Sequence, residues 1–317
     1  MKNIAILMGG NSAEKQVSIK SANTIYNNID SSQYEKHKVK FIEKDIFIVE
    51  FNQHDIKLDT NDFSFTYNKE KKKFDLIFIM IHGDPGENGK LCSYFEKINL
   101  PYTSCNQKIS QLTFNKLKCN TLLNQMGYKV PILYDIEILE NITLPCIIKP
   151  VNTGSSFGVN KVNHSINIAD AIKDARKYSD KIMIEEFIKG KELTCAVFNF
   201  KDNKSHITTL PITEIISENE IFDYDAKYNG KAQEITPANI SNHITENIEK
   251  ISKNIYLDLN LKGIIRIDFI LHNETPYIIE INTIPGFSEE SILPQMLRCA
   301  NIKMKTFLSW QIKSILH

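Results

Sequence analysis

The sequence predicts an α/β protein, α+β in parts, made of two or three compact units, and three observations carry that expectation. The chain opens on an apolar run, a glycine turn and a helical pattern; apolar runs and helical patterns then alternate; and near the C-terminus Gly263 to Leu271 and Pro276 to Asn282 flank a polar turn as a hairpin. At 317 residues the chain is too long for one small core.

Ile4 to Met8 reads as a buried strand, Gly9-Gly10-Asn11-Ser12 as a turn, and Glu14 to Asn28 as a helix with Ala22, Ile25, Tyr26 and Ile29 at helical spacing. Glu14, three residues after Asn11, also fits a capping box. Leu76 to Ile81 predicts a second buried strand, ending in the loop from His82 to Gly89 before a helix over Leu91 to Ile98. Loops at strand C-termini are where open α/β sheets bind ligands.

Ser110 to Met126 predicts one helix with Leu112, Cys119, Leu123 and Met126 on one stripe. Lys116 falls on that stripe, where a lysine must snorkel to solvent or meet an anion. Pro145 to Pro150 reads as a strand carrying Lys149, and Val151 to Val159 as a Gly/Ser loop whose amides and hydroxyls suit phosphate. It has no following GK[ST], so a plain hairpin turn stays open as the alternative.

A helix with Ile168, Ile172 and Ala175 and a strand over Lys181 to Glu186 follow. The polar connection Glu214 to Pro237 has the length of a lid or a disordered insert. A helix with Ile244, Ile248, Ile251 and Ile255 leads into the hairpin, and a last helix presents Met304, Phe307, Leu308, Ile312 and Ile315.

Thirty-eight basic and 38 acidic residues leave no formal net charge, which argues against a nucleic-acid partner because that needs a basic footprint. The six cysteines have no paired CxxC spacing, so they read as small apolar residues in a reducing compartment rather than as zinc ligands or disulfides. No run reaches membrane-spanning length. A soluble, cytoplasmic protein with no membrane partner is expected.

The hairpin holds the densest chemistry. Side chains alternate along a strand, so Arg266 shares a face with Asp268, and Glu280 with Asn282. If the two faces coincide, Asp, Glu and Asn oxygens gather beside a guanidinium. Such a set, without thiolate or imidazole, suits Mg²⁺, and metal with arginine suggests phosphoryl chemistry. A buried ion network of Arg266 with Asp268 or Glu280 is the other reading of the same residues.

Taken in order, Gly9 to Glu14, His82-Gly83, Lys116, Lys149-Pro150, Gly154-Ser155-Ser156-Phe157-Gly158, Glu185 to Glu192, Tyr224 to Tyr228, Arg266-Ile267-Asp268 and Glu280 to Gly286 resemble the ATP-grasp enzymes, and within them the D-alanine:D-alanine ligases. The resemblance covers nearly the whole chain. It implies three domains: an N-terminal substrate-binding domain over 1–104, a central ATP-grasp domain over 105–187 and a C-terminal ATP-grasp domain over 188–317 with a lid at 214–237, the active site lying between the last two.

The resemblance further implies ATP and two Mg²⁺ ions, with Mn²⁺ as a substitute. Lys116, Lys149 and Ser156 would hold the phosphates, Glu185, Phe187 and Ile188 the adenine, Glu192 the ribose, and Asp268, Glu280 and Asn282 the metal. Glu14 would bind the first ammonium group, with Ser155 and Tyr228 closing the lid over it. Arg266 and the Gly286 amide would stabilise an oxyanion. His82, Lys227, Ser291 and Ile292 would meet substrate, and a homodimer is expected.

Such an enzyme joins two D-alanine molecules through an acyl phosphate, for peptidoglycan precursors. Asn88, Thr153 and Ile265 depart from the family pattern in the loops and behind the metal site. Another carboxylate-amine ligase, a D-alanine:D-lactate ligase and a nucleotide-binding protein without catalysis are the alternatives; Tyr228 argues against the lactate variant, and the presence of Arg266, Asp268, Glu280 and Asn282 against the last.

Overall fold

The computed structural model describes residues 1–43, 46–154, 156–199, 206–217 and 232–316. Three sheets of different construction organise the chain. The first is built from β1 (Lys2–Gly9), β2 (Tyr34–Phe41), β3 (Phe47–Phe51), β4 (His54–Lys57) and β7 (Leu76–Ile79), with α1 (Lys15–Asn28) following β1 and a small ribbon of β5 (Phe65–Tyr67) and β6 (Glu70–Lys72) beside it. β1 runs parallel to both β2 and β7, and Ile4 to Leu7 are wholly buried, as a central parallel strand covered on both faces requires. α2 (Lys90–Lys97), α3 (Gln107–Phe114) and α4 (Lys116–Gln125) come next.

The second sheet joins β8 (Leu133–Tyr134), β9 (Cys146–Pro150), β10 (Asn160–Val162) and β11 (Ile182–Glu186) in antiparallel pairs, and α5 (Ile168–Ala175) covers it. The third contains β12 (Lys191–Asn199), β13 (Ile207–Thr209), β14 (Thr213–Ser217), β15 (Ala232–Ile235), β16 (Ile264–His272) and β17 (Thr275–Asn282). α6 (Asn242–Asp258) packs on it, and α7 (Ile292–Cys299) and α8 (Met304–Leu316) close the chain.

The apolar cores cross the order of the sequence. Phe287, Leu293, Met296, Phe307 and Ile312, from the C-terminal end, are buried in the same core as Ile4, Ile6 and Phe78 of the first sheet. Cys105, Cys119 and Leu123, from α4 and the segment before α3, are buried against β12, β16 and β17. All six cysteines are free and five are buried, which pushes the thiols of Cys105, Cys119 and Cys195 up to about 12 and leaves them the small apolar residues the sequence suggested.

Two expectations need correction. The single helix over Ser110 to Met126 is two helices, broken at Asn115, whose backbone is extended and whose side chain accepts from the Lys118 amide at 2.9 Å. Capping a new helix there frees the Lys116 amide to donate to the Val151 carbonyl. The polar connection Glu214 to Pro237 is not structureless at its ends: β14 and β15 pair in antiparallel register from Glu214 with Ile235 to Ser217 with Ala232.

Candidate active site

The hairpin register settles which faces coincide. Arg266 lies opposite Asn282 and Asp268 opposite Glu280, and a bulge after Asp268 shifts the ladder only beyond the charged residues. Asn273 and Glu274, both at positive φ, form the two-residue turn that sets this register. Arg266 grips Asp268 with two hydrogen bonds of 2.9 Å, and the Thr194 hydroxyl donates to the same carboxylate at 2.5 Å. Burial works against the Arg266 charge, but Asp268 more than restores it, so its pKa is raised.

Two cavities meet at this hairpin. One, of about 390 Å³, lies between the first sheet and the hairpin, and Glu14, His82, Arg266, Asn282, Gly286 and Ser291 face it. Ile292 lines its edge. The other, of about 480 Å³, lies between the second and third sheets and is walled by Lys149, Ser156, Glu185, Phe187, Ile188 and Glu192, with Asp268 at its inner end. Lys116, Thr153 and Glu280 belong to both. The site therefore draws on all three sheets, the first included.

Lys116 occupies this junction because α4 begins there. Its Nζ lies 3.2 Å from Glu280 Oε2 and donates to the Thr153 carbonyl at 2.6 Å. Burial alone would lower its pKa; Glu280, then Glu87 and Glu14, raise it, so the lysine stays charged. Thr153 serves through its backbone, so the side-chain departure there is without consequence for this bond. Ile265 is wholly buried in the core under α6, on the face away from Arg266, and the Asn88 amide bonds Asp84 within its own loop.

Glu14 does not cap α1: no side-chain cap bond is made at that helix start. Its carboxylate points instead at the Gly/Ser loop, where a Cβ on Gly154 would stand 2.6 Å from Glu14 Oε2. Gly286 likewise leaves room for Ser291, whose hydroxyl lies 2.8 Å from that of Ser288 rather than capping α7. His82 is buried with Nε2 unpartnered among the described residues, and burial lowers its pKa against the pull of Glu14.

In the second cavity Lys149 is paired with Glu185 across β9 and β11, both buried, and Glu185 Oε2 has no partner among the described residues. Lys161 stacks its ammonium 4.1 Å from the centre of the Phe187 ring. Ser155, Lys227 and Tyr228 lie outside the described residues.

Sequence reasoning passed over Glu87, Glu234 and Lys161. Glu87 accepts from the Gly83 amide at 2.7 Å, and its carboxyl is pushed up to about 8 by burial, with Glu14 adding to the shift. Its place in the loop after His82 was the available signal. Glu234 and Lys161 sit in ordinary strand patterns that mark nothing.

Residues 3–105 match the family model of the D-ala D-ala ligase N-terminus, and residues 111–313 that of the D-ala D-ala ligase C-terminus. The chain belongs to the D-alanine–D-alanine ligase family. It is 42% identical over 314 residues to the D-alanine–D-alanine ligase of Flavobacterium johnsoniae, with 96% of each chain covered. To that of Phocaeicola vulgatus it is 42% identical over 318 residues, with 97% of each covered.

Among solved structures, a D-Ala:D-Ser ligase from Enterococcus faecalis is similar at a TM-score of 0.87 and 28% identity, covering 99% of both chains. D-alanyl-alanine synthetase A from Vibrio cholerae is similar at 0.86 and 25% identity, covering 99% of this chain and 98% of that one. The fold is the ATP-grasp architecture of these ligases. No described helix is long and apolar enough to cross a membrane.

Proposed function

We propose that this chain joins two D-alanine molecules into D-alanyl-D-alanine at the expense of ATP, through an acyl phosphate, for peptidoglycan precursors. It is a ligase forming a carbon–nitrogen bond, as its family is. The observation that carries the mechanism is the meeting of two cavities at Lys116 and Glu280: a nucleotide in one and amino acids in the other would bring a γ-phosphate to a carboxylate there.

In this reading Lys116, Lys149 and Ser156 hold phosphate, Phe187 and Ile188 flank adenine, and Glu192 meets the ribose. Glu185 supports the adenine assignment, since its unpartnered oxygen can accept from an exocyclic amine. Asp268, Glu280 and Asn282 fit two Mg²⁺ ions, or Mn²⁺, because all their donors are oxygens and two face each other across the ladder. Of about four acceptor directions on a carboxylate, Arg266 and Thr194 use three on Asp268. The metal would supply charge neutralisation between phosphate and carboxylate.

Glu14 takes the first ammonium group and His82 lies near the first carboxylate. Arg266 and the Gly286 amide steady the oxyanion, a contribution of roughly 3 kcal/mol in comparable sites. Ser291, beside Ile292, receives the second carboxylate, Lys227 meets phosphate, and Ser155 with Tyr228 closes over Glu14 to exclude water. The division at 104 and 187, a cytoplasmic place and a homodimer belong to the same reading; the three sheets support the division.

The test is phosphate release by purified protein with ATP and Mg²⁺, against D-alanine, L-alanine, D-serine and D-lactate. D-alanine alone should support turnover and yield the dipeptide. Equal turnover with L-alanine would remove the assignment, and preferred D-serine or D-lactate in the second position would move it to the corresponding ligase.

A further inference from the structure

Glu234 has no place in the roles above, yet it lines the first cavity together with Arg266, Ser288 and Ser291. It stands on β15, half-buried, and the Gln295 amide from the first turn of α7 donates to its carboxylate. The same amide nitrogen reaches the Glu290 carbonyl at 3.2 Å, so Gln295 ties the strand end to the start of α7, where Ser291 sits.

The other carboxylates of this cavity are committed elsewhere: Glu14 against Gly154, Glu87 on the Gly83 amide, Glu280 beside Lys116. Glu290 is exposed to water. Burial raises the Glu234 carboxyl pKa, with Gln295 and Arg266 opposing, and a carboxylate made more basic is a better proton acceptor.

Resting on the ligase reading, we propose that Glu234 receives the ammonium group of the second amino acid and takes from it the proton that must leave before the nitrogen attacks. With its carboxylate at Ser291, a small zwitterion would present its ammonium to the cavity wall that Glu234 forms. One N–H proton passes to a Glu234 oxygen. The freed lone pair forms the C–N bond to the acyl carbon, the C–O bond to phosphate breaks with its electron pair going to the phosphate oxygen, and the second N–H proton leaves with the phosphate. Glu234 then returns its proton to solvent. Gln295 is the positioning residue.

Glu234→Gln keeps the shape of the side chain and removes its basicity. The variant and the native enzyme are compared in two assays with ATP, Mg²⁺ and D-alanine: dipeptide formation, and D-alanyl hydroxamate formation with hydroxylamine, which is uncharged at neutral pH and needs no acceptor for a proton before attack. Dipeptide formation should fall on the order of 100-fold, and hydroxamate formation far less. Equal losses in both, or an unchanged dipeptide rate, would overturn the proposal. Failure of the native enzyme to form hydroxamate would overturn the acyl phosphate itself, and the proposal with it.

Discussion

Lys116 Nζ stands 3.2 Å from Glu280 Oε2 where the two cavities share a wall. The Lys116 charge is retained in a partly buried setting because Glu280 is beside it. A ligand phosphate entering the second cavity would compete with Glu280 for this lysine, which makes the pair the natural point to perturb.

Glu280→Gln preserves the shape of the side chain and its hydrogen bond to Lys116 while removing one carboxylate charge. Activity should fall by about 100-fold or more, as for loss of a preorganised charge. Stability should fall by about 1 kcal/mol. Turnover and thermal melting on one preparation check this; a large loss of stability with activity per folded molecule intact would return the cluster to a structural ion network.

Gly154→Ala should act through Glu14. Gly154 is not at positive φ, so alanine is not strained by the backbone, but its Cβ would lie 2.6 Å from Glu14 Oε2 and must displace that carboxylate. The KM for D-alanine in the first position should rise by about tenfold, which is about 1.4 kcal/mol of lost binding. The melting temperature should stay near native, and an unchanged KM would separate Glu14 from substrate binding.

Asn115→Ala removes the side chain that caps α4 through the Lys118 amide. The expected loss is about 1 kcal/mol of stability. Because Lys116 is the first residue of that helix, ATP should also bind more weakly. Calorimetric titration with a non-hydrolysable ATP analogue tests the second effect, which a cap serving only the helix would not produce.

His37 gives a pH dependence remote from the site. It is buried, with the rings of Phe51, Phe65 and Phe74 centred 5.7, 6.2 and 5.6 Å away and Glu35 at 3.9 Å. Burial lowers its pKa below 6.5, Glu35 opposing and Lys72 assisting. The unfolded chain then takes up a proton near pH 6.5 and the folded chain only lower, so stability is full above 6.5 and is lost as pH falls from there through the folded pKa. Denaturant titrations at pH 7 and pH 5 should show this loss in the native chain and a smaller one in His37→Leu.

Periodicity and local chemistry by themselves determined the two strands of the hairpin, the strands β1 and β7 of the first sheet and the residue types that mark the site. These are short-range properties: alternation places Arg266 with Asp268 whatever the rest of the chain does. Only the tertiary structure decided that Arg266 faces Asn282 and Asp268 faces Glu280, since register depends on the turn and on which face is buried. It also decided that the helix containing Lys116 breaks at Asn115, where a side-chain cap and a bond to Val151 outweigh a continuous apolar stripe. Glu234 became visible only there, and the loop position of Glu87 after His82 gained its meaning only there, because a carboxylate on a loop or a strand looks like a solvated one until folding takes the water away from it.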